Sequence, residues 1–242
     1  MLPELLYERV AEVRERVSAQ GEVLAPFDAD DARRSLEAAW HAGIRAVADL
    51  GCGIGGDLMA FAAAGPVLGV ERDFVSSLFA RENLRRLGYD GSTHTVARAD
   101  VEGFSLPGEA AWHIDPDRRA KGTRTIRLAR FSPPLEVVEG LLEACPCGVV
   151  KAAPATEPPE RWAREAELEW IERDRECRQL VAWHGALATD PGRRKATVVG
   201  DRIVSFTGDP GPPESIAGSV GDYVFEPRRA VLAADLVGAV AE

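Results

Sequence analysis

The residues with the clearest chemical meaning form a glycine cluster in the segment DLGCGIGGD (49–57). Gly51, Gly53, Gly55 and Gly56 lie between two apolar runs, IRAVADL and LMAFAAAG. Glycine permits positive φ and lets a ligand approach the backbone closely, and a helix that begins after the glycines would offer free N–H groups. The segment therefore predicts a strand-to-helix turn that holds a nucleotide cofactor.

Two acids near the glycines indicate which cofactor this is. Glu71 follows Gly51 by 20 residues and ends the next predicted strand, where a carboxylate can accept hydrogen bonds from ribose hydroxyls. Asp49 stands immediately before the loop, where its charge would repel the pyrophosphate of NAD. A ligand that carries an ammonium and a sulfonium would be attracted instead. These acids favour S-adenosylmethionine.

This pattern resembles the first motif of the class I S-adenosylmethionine-dependent methyltransferases, acidic-x-Gly-x-Gly-x-Gly. GVERD (69–73) is similar to the second motif, ARADVEGF (97–104) to the third, and WHIDPDRR (112–119) lies where the family has its fourth motif. The resemblance implies that Asp100 faces the adenine amine and that Val101 packs on the ring. The implied cofactor-binding residues are Asp49, Gly51, Cys52, Gly53, Gly55, Glu71, Arg72, Asp100 and Val101.

The fourth motif would carry the acceptor chemistry. Family members that methylate exocyclic amines of bases have Asp/Asn-Pro-Pro-aromatic here, whereas this chain has Asp115-Pro116-Asp117-Arg118. The acid and the first proline are present, but the second proline and the aromatic are replaced. The predicted catalytic residues are Asp115, Pro116 and Asp117, with Asp115 orienting the acceptor and accepting its proton late in the transfer. No metal is required or expected, because the cysteines and histidines lack metal-ligand spacing.

A run of cations follows the fourth motif in a chain whose net charge is −10. Such a run can be a solvated loop, or it can be a flap that contacts phosphates and suits an RNA substrate. On the second interpretation the substrate-binding residues are Arg118, Arg119, Lys121 and Arg124. His113, in the predicted strand before the motif, is expected to be a packed histidine.

A second resemblance is narrower. The segment DPDRRAKGTRTIRLARFSPPLEVV (115–138) is similar to bacterial methyltransferases with a THUMP-like domain, as are ECRQLVAWHG (176–185), RRKATVV (193–199) and GDYVFEPRRAVLAADLV (221–237). Members of that group continue into a further C-terminal domain. The resemblance therefore implies that this sequence is a fragment or a short variant of a longer protein.

The elements that would position these residues alternate between strands and helices from about residue 45 to residue 153, as in a doubly wound parallel sheet. From about residue 168 two hairpins are predicted, and one helix is predicted over 228–242. Amphipathic helices are predicted at 3–19 and 28–43. The predicted fold is α/β, a Rossmann-like class I methyltransferase sheet with N-terminal helices and C-terminal antiparallel hairpins.

The predicted domains are an N-terminal helical segment (1–44), a methyltransferase domain (45–207), and a linker with a C-terminal helix (208–242). Four cysteines in 242 residues form no disulfide framework, and neither a signal peptide nor a long apolar run is present, so a cytoplasmic location without membrane contact is expected.

The predicted function is S-adenosylmethionine-dependent methyl transfer, to ribosomal or transfer RNA. Two alternatives remain. One is a cofactor-binding scaffold that has lost catalysis, which the incomplete fourth motif supports. The other is an NAD-type oxidoreductase, which Asp49 and the lack of a Tyr-x-x-x-Lys motif disfavour. The acceptor atom and the oligomeric state do not follow from the sequence.

Overall fold

The computed structural model describes residues 46–89, 93–106, 111–118, 125–212 and 222–241. The predicted helices at 3–19 and 28–43, and the predicted substrate contacts Arg119, Lys121 and Arg124, lie outside those ranges. The chain divides into two compact units, residues 1–113 and 114–242, which are described in turn. The mixed α/β fold is confirmed, while the domain boundaries expected at residues 44 and 207 stay a prediction.

The first unit alternates strands and helices. Its elements are β1 (Val47–Leu50), α1 (Gly56–Ala62), β2 (Val67–Glu71), α2 (Phe74–Arg86), β3 (His94–Arg98) and β4 (Ala111–Ile114), whose last residue begins the second unit. The strand order is β3-β2-β1-β4, and β2 pairs in parallel with both β1 and β3. The order β3-β2-β1 is that of a mononucleotide-binding half of a Rossmann fold, and β4 follows beside β1 as in the full fold. This order places the carboxyl ends of β1, β2 and β3 along one edge.

Local sequence explains why these elements form and pack. All four residues of β1 are buried, as is typical of a parallel strand covered on both faces. Helix α1 buries Leu58 and Phe61. Asp73 is the N-cap of α2, and its side chain accepts a hydrogen bond from the Ser76 N–H at 2.8 Å. This N-cap holds the pKa of Asp73 below its ordinary value, since the hydrogen bonds favour the ionised carboxylate.

The second unit contains α3 (Leu135–Ala144), β5 (Gly148–Ala152), α4 (Glu160–Glu165), β6 (Glu167–Arg173), β7 (Glu176–Trp183), β8 (Arg194–Val199), β9 (Ile203–Gly208), α5 (Arg229–Ala233) and α6 (Val237–Ala241). Its strand order is β5-β7-β6-β8-β9. The two predicted hairpins are confirmed, since β6 pairs antiparallel with β7 and β8 antiparallel with β9. The hairpins are joined through a parallel pairing of β6 with β8, which was not predicted.

The prediction of one C-terminal helix over 228–242 is wrong. The described part of that stretch forms two short helices, α5 and α6. Asp235 takes a left-handed conformation between them, with φ 57°, and the next residue, Leu236, is fully buried. A single left-handed residue interrupts a helix without altering its apolar periodicity, so the pattern could not reveal the break. None of the helices described is long and apolar enough to cross a bilayer.

Candidate cofactor-binding site

The glycine loop leaves β1 and turns directly into α1. Gly51, Gly53 and Gly55 have φ angles of 73°, 56° and 93°, a left-handed region that costs other residues about 1–2 kcal/mol. The N–H of Gly51 donates to the Val70 carbonyl oxygen at 2.7 Å, which ties the loop to β2. A Cβ added at Gly51 or Gly53 would meet no atom of the described residues within 4 Å. The loop therefore has the predicted conformation and open space above two of its glycines.

Glu71 stands beside this loop at the end of β2. Its Oε2 accepts a hydrogen bond from the Gly53 N–H at 2.9 Å, and its Oε1 accepts one from the Asp73 N–H at 2.7 Å. Each carboxylate oxygen has two lone pairs, so both oxygens keep a further acceptor position. Glu71 can thus shape the loop and still accept from ligand hydroxyls.

The end of β3 brings the third-motif residues next to Glu71. The Ala99 N–H donates to the Glu71 carbonyl oxygen at 3.2 Å. Asp100 follows, with its Oδ2 3.9 Å from an Nη of Arg72 and its Oδ1 accepting from the Glu102 N–H at 3.1 Å. Val101 is buried. The structure therefore gathers Glu71, Arg72, Asp100 and Val101 at the adjacent ends of two strands, as the motif order requires.

Asp49 differs from these acids because it is buried and only half satisfied. The residue is 3% exposed, and its Oδ1 lies 2.9 Å from Nδ1 of His113. Among the residues that the structure describes, no group donates a hydrogen bond to its Oδ2. A buried carboxylate oxygen without a donor is costly, and an ammonium group would remove that cost. Oδ2 of Asp49 is therefore an acceptor that fits the ammonium of the amino-acid end of S-adenosylmethionine.

His113 was missed by sequence reasoning as a member of this site. The prediction of a packed histidine is correct as far as it goes, since the ring is buried and its edge meets Phe61 with centroids 5.2 Å apart. Its Nδ1 also contacts Asp49, and its Nε2 lies 3.9 Å from Oδ2 of Asp57. One signal was available: β1 and β4 are neighbours in the Rossmann order, and each has a polar residue at its third position.

Cys52 lies inside the loop and is buried. Burial, together with the nearby charges of Asp49 and Glu71, raises the pKa of its thiol. The thiol therefore stays protonated at neutral pH and cannot act as a nucleophile or a metal ligand. In the parts of the chain covered by the structure, no group of histidines, cysteines and acids could hold a metal ion.

The fourth-motif residues belong to the second unit. Asp115 is exposed, and its Oδ2 lies 3.6 Å from Nζ of Lys151, a side chain only 3% exposed on β5. Pro116 is buried, and Asp117 forms an antiparallel bridge with Ser132 through both backbone groups, at 2.8 and 3.0 Å. Sequence reasoning missed Lys151, although a lysine within the apolar run GVVKAA was a visible signal.

Three methyltransferases are among the solved structures that the chain resembles. A proposed RNA methyltransferase from Pyrococcus horikoshii is 21% identical, with a TM-score of 0.40 over 55% of this chain and 62% of that one. An RNA methyltransferase from Salinibacter ruber, solved with S-adenosyl-L-homocysteine, is 14% identical, with a TM-score of 0.38 over 64% and 90%. A proposed methyltransferase from Streptococcus mutans, also solved with S-adenosylhomocysteine, is 10% identical, with a TM-score of 0.42 over 62% and 96%.

The aligned region spans less than two thirds of the Pyrococcus horikoshii chain. No curated protein matches this sequence. The N-terminal region of the hydantoinase/oxoprolinase family matches residues 1–50, which is about a fifth of the chain.

Proposed function

We propose that this protein binds S-adenosylmethionine in the first unit and transfers its methyl group to an acceptor. The observation that carries the proposal is the buried Oδ2 of Asp49, at the start of an open glycine loop, to which no described residue donates a hydrogen bond. A dinucleotide would bring a pyrophosphate to this loop, and a carboxylate would repel it. A ligand whose amino-acid end is cationic at the amine supplies the missing donor.

The remaining residues of the site have separate roles in this proposal. Glu71 accepts from the ribose hydroxyls, and Asp100 from the adenine amine, while Val101 lines the adenine ring. Gly51 and Gly53 leave room for the ligand against the backbone. When bound, the cofactor supplies a methyl group on sulfur that is activated for in-line displacement. The chain's own task is to align the two reactants and exclude water.

For the acceptor, the proposal assigns Asp115 and takes RNA as the substrate. The Lys151 ammonium lies 3.6 Å from Oδ2 of Asp115, and a carboxylate can orient a hydroxyl or amine and accept its proton. The cations after Asp115, of which Arg118 is described, suit the phosphates of a nucleic acid. The resemblance to bacterial methyltransferases with a THUMP-like domain supports the same substrate class.

The test is calorimetric titration of the purified chain with S-adenosylhomocysteine and, separately, with NADH. We expect micromolar binding of the first and no binding of the second. Binding of NADH alone would replace the proposal with the oxidoreductase interpretation. A chain that binds neither ligand would refute the cofactor assignment.

A second candidate function is a cofactor-binding module that transfers no methyl group. The observation in its favour is Asp117-Arg118 in place of the proline and aromatic of the amine-methylating enzymes, with the Asp117 backbone committed to a bridge with Ser132. Incubation with tritiated S-adenosylmethionine and total RNA separates the two candidates. Label in RNA that disappears with Asp115→Asn supports the enzyme, whereas tight cofactor binding without any label supports the module.

A further inference from the structure

The contact between His113 and Asp49 points to a role for a residue to which the sequence motifs assign none. We propose that His113 is a positioning residue for the cofactor's amino-acid end: it donates to Oδ1 of Asp49 and so leaves Oδ2 fixed and available to an ammonium. This inference rests on the proposed function, because it names how the same site recognises one half of its ligand.

The direction of the hydrogen bond between His113 and Asp49 follows from the chemistry of the carboxylate. An ionised carboxylate can only accept, so Nδ1 of His113 is the donor to Oδ1 of Asp49 across 2.9 Å. Both side chains are almost fully buried, at 3% and 4% exposed. Water therefore does not compete for this bond, and a hydrogen bond to a charged group is strong in such surroundings.

The imidazole of His113 is itself held in place. Its edge packs against Phe61 of α1 at an interplanar angle of 61°. Its Nε2 lies 3.9 Å from Oδ2 of Asp57, in the first turn of the same helix. A ring fixed by packing and by a charge at its far end can fix the carboxylate that it contacts. Helix α1 thus sets the orientation of Asp49 on β1.

The proposal assigns the adenosine half and the amino-acid half of the ligand to different residues. The proposed adenosine contacts, Glu71 and Asp100, lie at the ends of β2 and β3, where they bond to backbone N–H groups and, for Asp100, pair with Arg72. Removing the His113 donor frees the Asp49 carboxylate to rotate and leaves both of its oxygens without a donor among the described residues. The loss should therefore fall on ligands that carry the ammonium and spare ligands that end at the thioether.

Two ligands and three variants test this. S-adenosylhomocysteine carries the amino-acid end, and 5′-methylthioadenosine lacks it. His113→Phe keeps an aromatic ring but removes the donor, and we expect S-adenosylhomocysteine to bind at least tenfold more weakly while 5′-methylthioadenosine changes less than twofold. In His113→Asn the side-chain amide can donate from about the position of Nδ1, and we expect affinity within threefold of the parent. His184→Phe is the matched control, since His184 is also buried with its ring edge against a large aromatic, Trp162.

Equal loss for both ligands, or no loss for either, would overturn the inference. If His113→Phe does not fold, ¹⁵N spectra of the parent protein decide, with the His113 ring nitrogens assigned by His113→Asn. Their shifts should move with S-adenosylhomocysteine and stay in place with 5′-methylthioadenosine, and equal movement would contradict the role. A parent protein that binds neither ligand would instead refute the proposed function itself.

Discussion

At the scale of residues, two buried carboxylates at the ends of adjacent strands are used in different ways. Both carboxylate oxygens of Glu71 accept hydrogen bonds from backbone N–H groups, so this side chain helps to fix the conformation of the loop. Asp49 has one oxygen bonded to an imidazole and the other without a donor among the described residues. We therefore expect Glu71 to be stable without a ligand and Asp49 to be stabilised by one.

We therefore expect Glu71→Ala to weaken S-adenosylhomocysteine binding at least tenfold, which is about 1.4 kcal/mol. Because Glu71 also holds the Gly53 N–H, the readout must separate ribose contact from loop damage. The 2′,3′-dideoxy analogue of S-adenosylhomocysteine provides that separation. The parent should bind this analogue more weakly than the natural ligand, whereas Glu71→Ala should bind the two ligands with equal affinity. Glu82→Ala, which removes a partly exposed glutamate of α2, serves as the control. An undiminished preference for the natural ribose would remove Glu71 from the ribose site.

Spacing along the chain predicted the glycine loop and Glu71 because these residues obey local rules, positive φ at a turn and a carboxylate at the end of the next strand. His113 and Lys151 obey no local rule. His113 meets Asp49 across 64 residues of sequence, and Lys151 meets Asp115 from a different strand. Such pairs depend on strand order and register, which a single sequence does not encode in any short pattern.

At the scale of elements, β2 and α1 pack closely against each other at Gly69. A Cβ at Gly69 would lie 2.8 Å from Cδ2 of Leu58 and 2.9 Å from Sγ of Cys52. Both neighbours are buried, so neither can withdraw into solvent. Gly69 is therefore required by close packing, in contrast to the loop glycines, which are required by φ.

Gly69→Ala should lower the free energy of unfolding by about 1–3 kcal/mol, the usual cost of overpacking. Urea denaturation followed by circular dichroism measures the change. Gly65→Ala is the control, since a Cβ there meets nothing within 4 Å and its φ is not left-handed. A Gly69→Ala variant as stable as Gly65→Ala would show that α1 can shift away from β2 at little cost.

Strand β6 is stabilised by hydrogen bonds and ion pairs to its buried acids. In ELEWIER the acids Glu167, Glu169 and Glu172 are all buried, although acids in a strand usually face solvent. Each has its own partners: Glu167 accepts from Lys195 and from the backbone of Thr189 and Asp190. Glu169 accepts from Trp183 and Thr197, and Glu172 accepts from Arg228 and the Ala230 N–H. The hairpin pattern predicted the strand β6. The side chains that pair with its three acids could not be predicted, because they lie on β7, on β8 and at the C-terminal helices.

Glu167 makes stability depend on pH. Burial opposes its ionisation, but the Lys195 ammonium and the N–H groups of Asp190 and Thr189 outweigh that effect, and the pKa is lowered from 4.5. A lowered pKa means that the stabilisation is fully present above the unfolded-state pKa and is lost as the pH falls through the folded-state pKa.

Glu167→Gln should consequently cost about 1–3 kcal/mol of unfolding free energy at pH 7. The difference from the parent should shrink as the pH falls below about 4.5, and urea midpoints between pH 7 and pH 3 measure it. Glu165→Gln, which alters an exposed acid two residues away, should show no such convergence. A Glu167→Gln difference that stays constant with pH would contradict the ionised role of Glu167.

At the scale of the whole molecule, a net charge of −10 opposes the binding of any polyanion, so RNA affinity must come from a local concentration of cations. The run that begins at Arg118 is the proposed source. A triple variant, Arg118→Gln, Arg119→Gln and Arg124→Gln, tests it with a single-stranded RNA oligonucleotide. The slope of log affinity against log salt should flatten by about 2, since each phosphate contact on single strands contributes about 0.7.

The control changes the net charge by the same amount elsewhere. Arg85→Gln, Arg86→Gln and Arg178→Gln remove three exposed arginines that are paired with acids. If both triples flatten the slope equally, the effect belongs to total charge and the run after Asp115 is a solvated loop. A slope that neither triple changes would exclude both sets from the RNA interface.

The ion pair between Arg228 and Glu172 also constrains the order in which the chain can fold during synthesis. The fully buried Glu172 receives its guanidinium and its backbone donor from residues 228 and 230, which leave the ribosome more than fifty residues later. Until then, burying β6 would place a carboxylate in the core without its partners. We expect the hairpin of β6 and β7 to stay loosely packed on the nascent chain and to close only when the last helices emerge, which makes their arrival the committing event in biosynthesis.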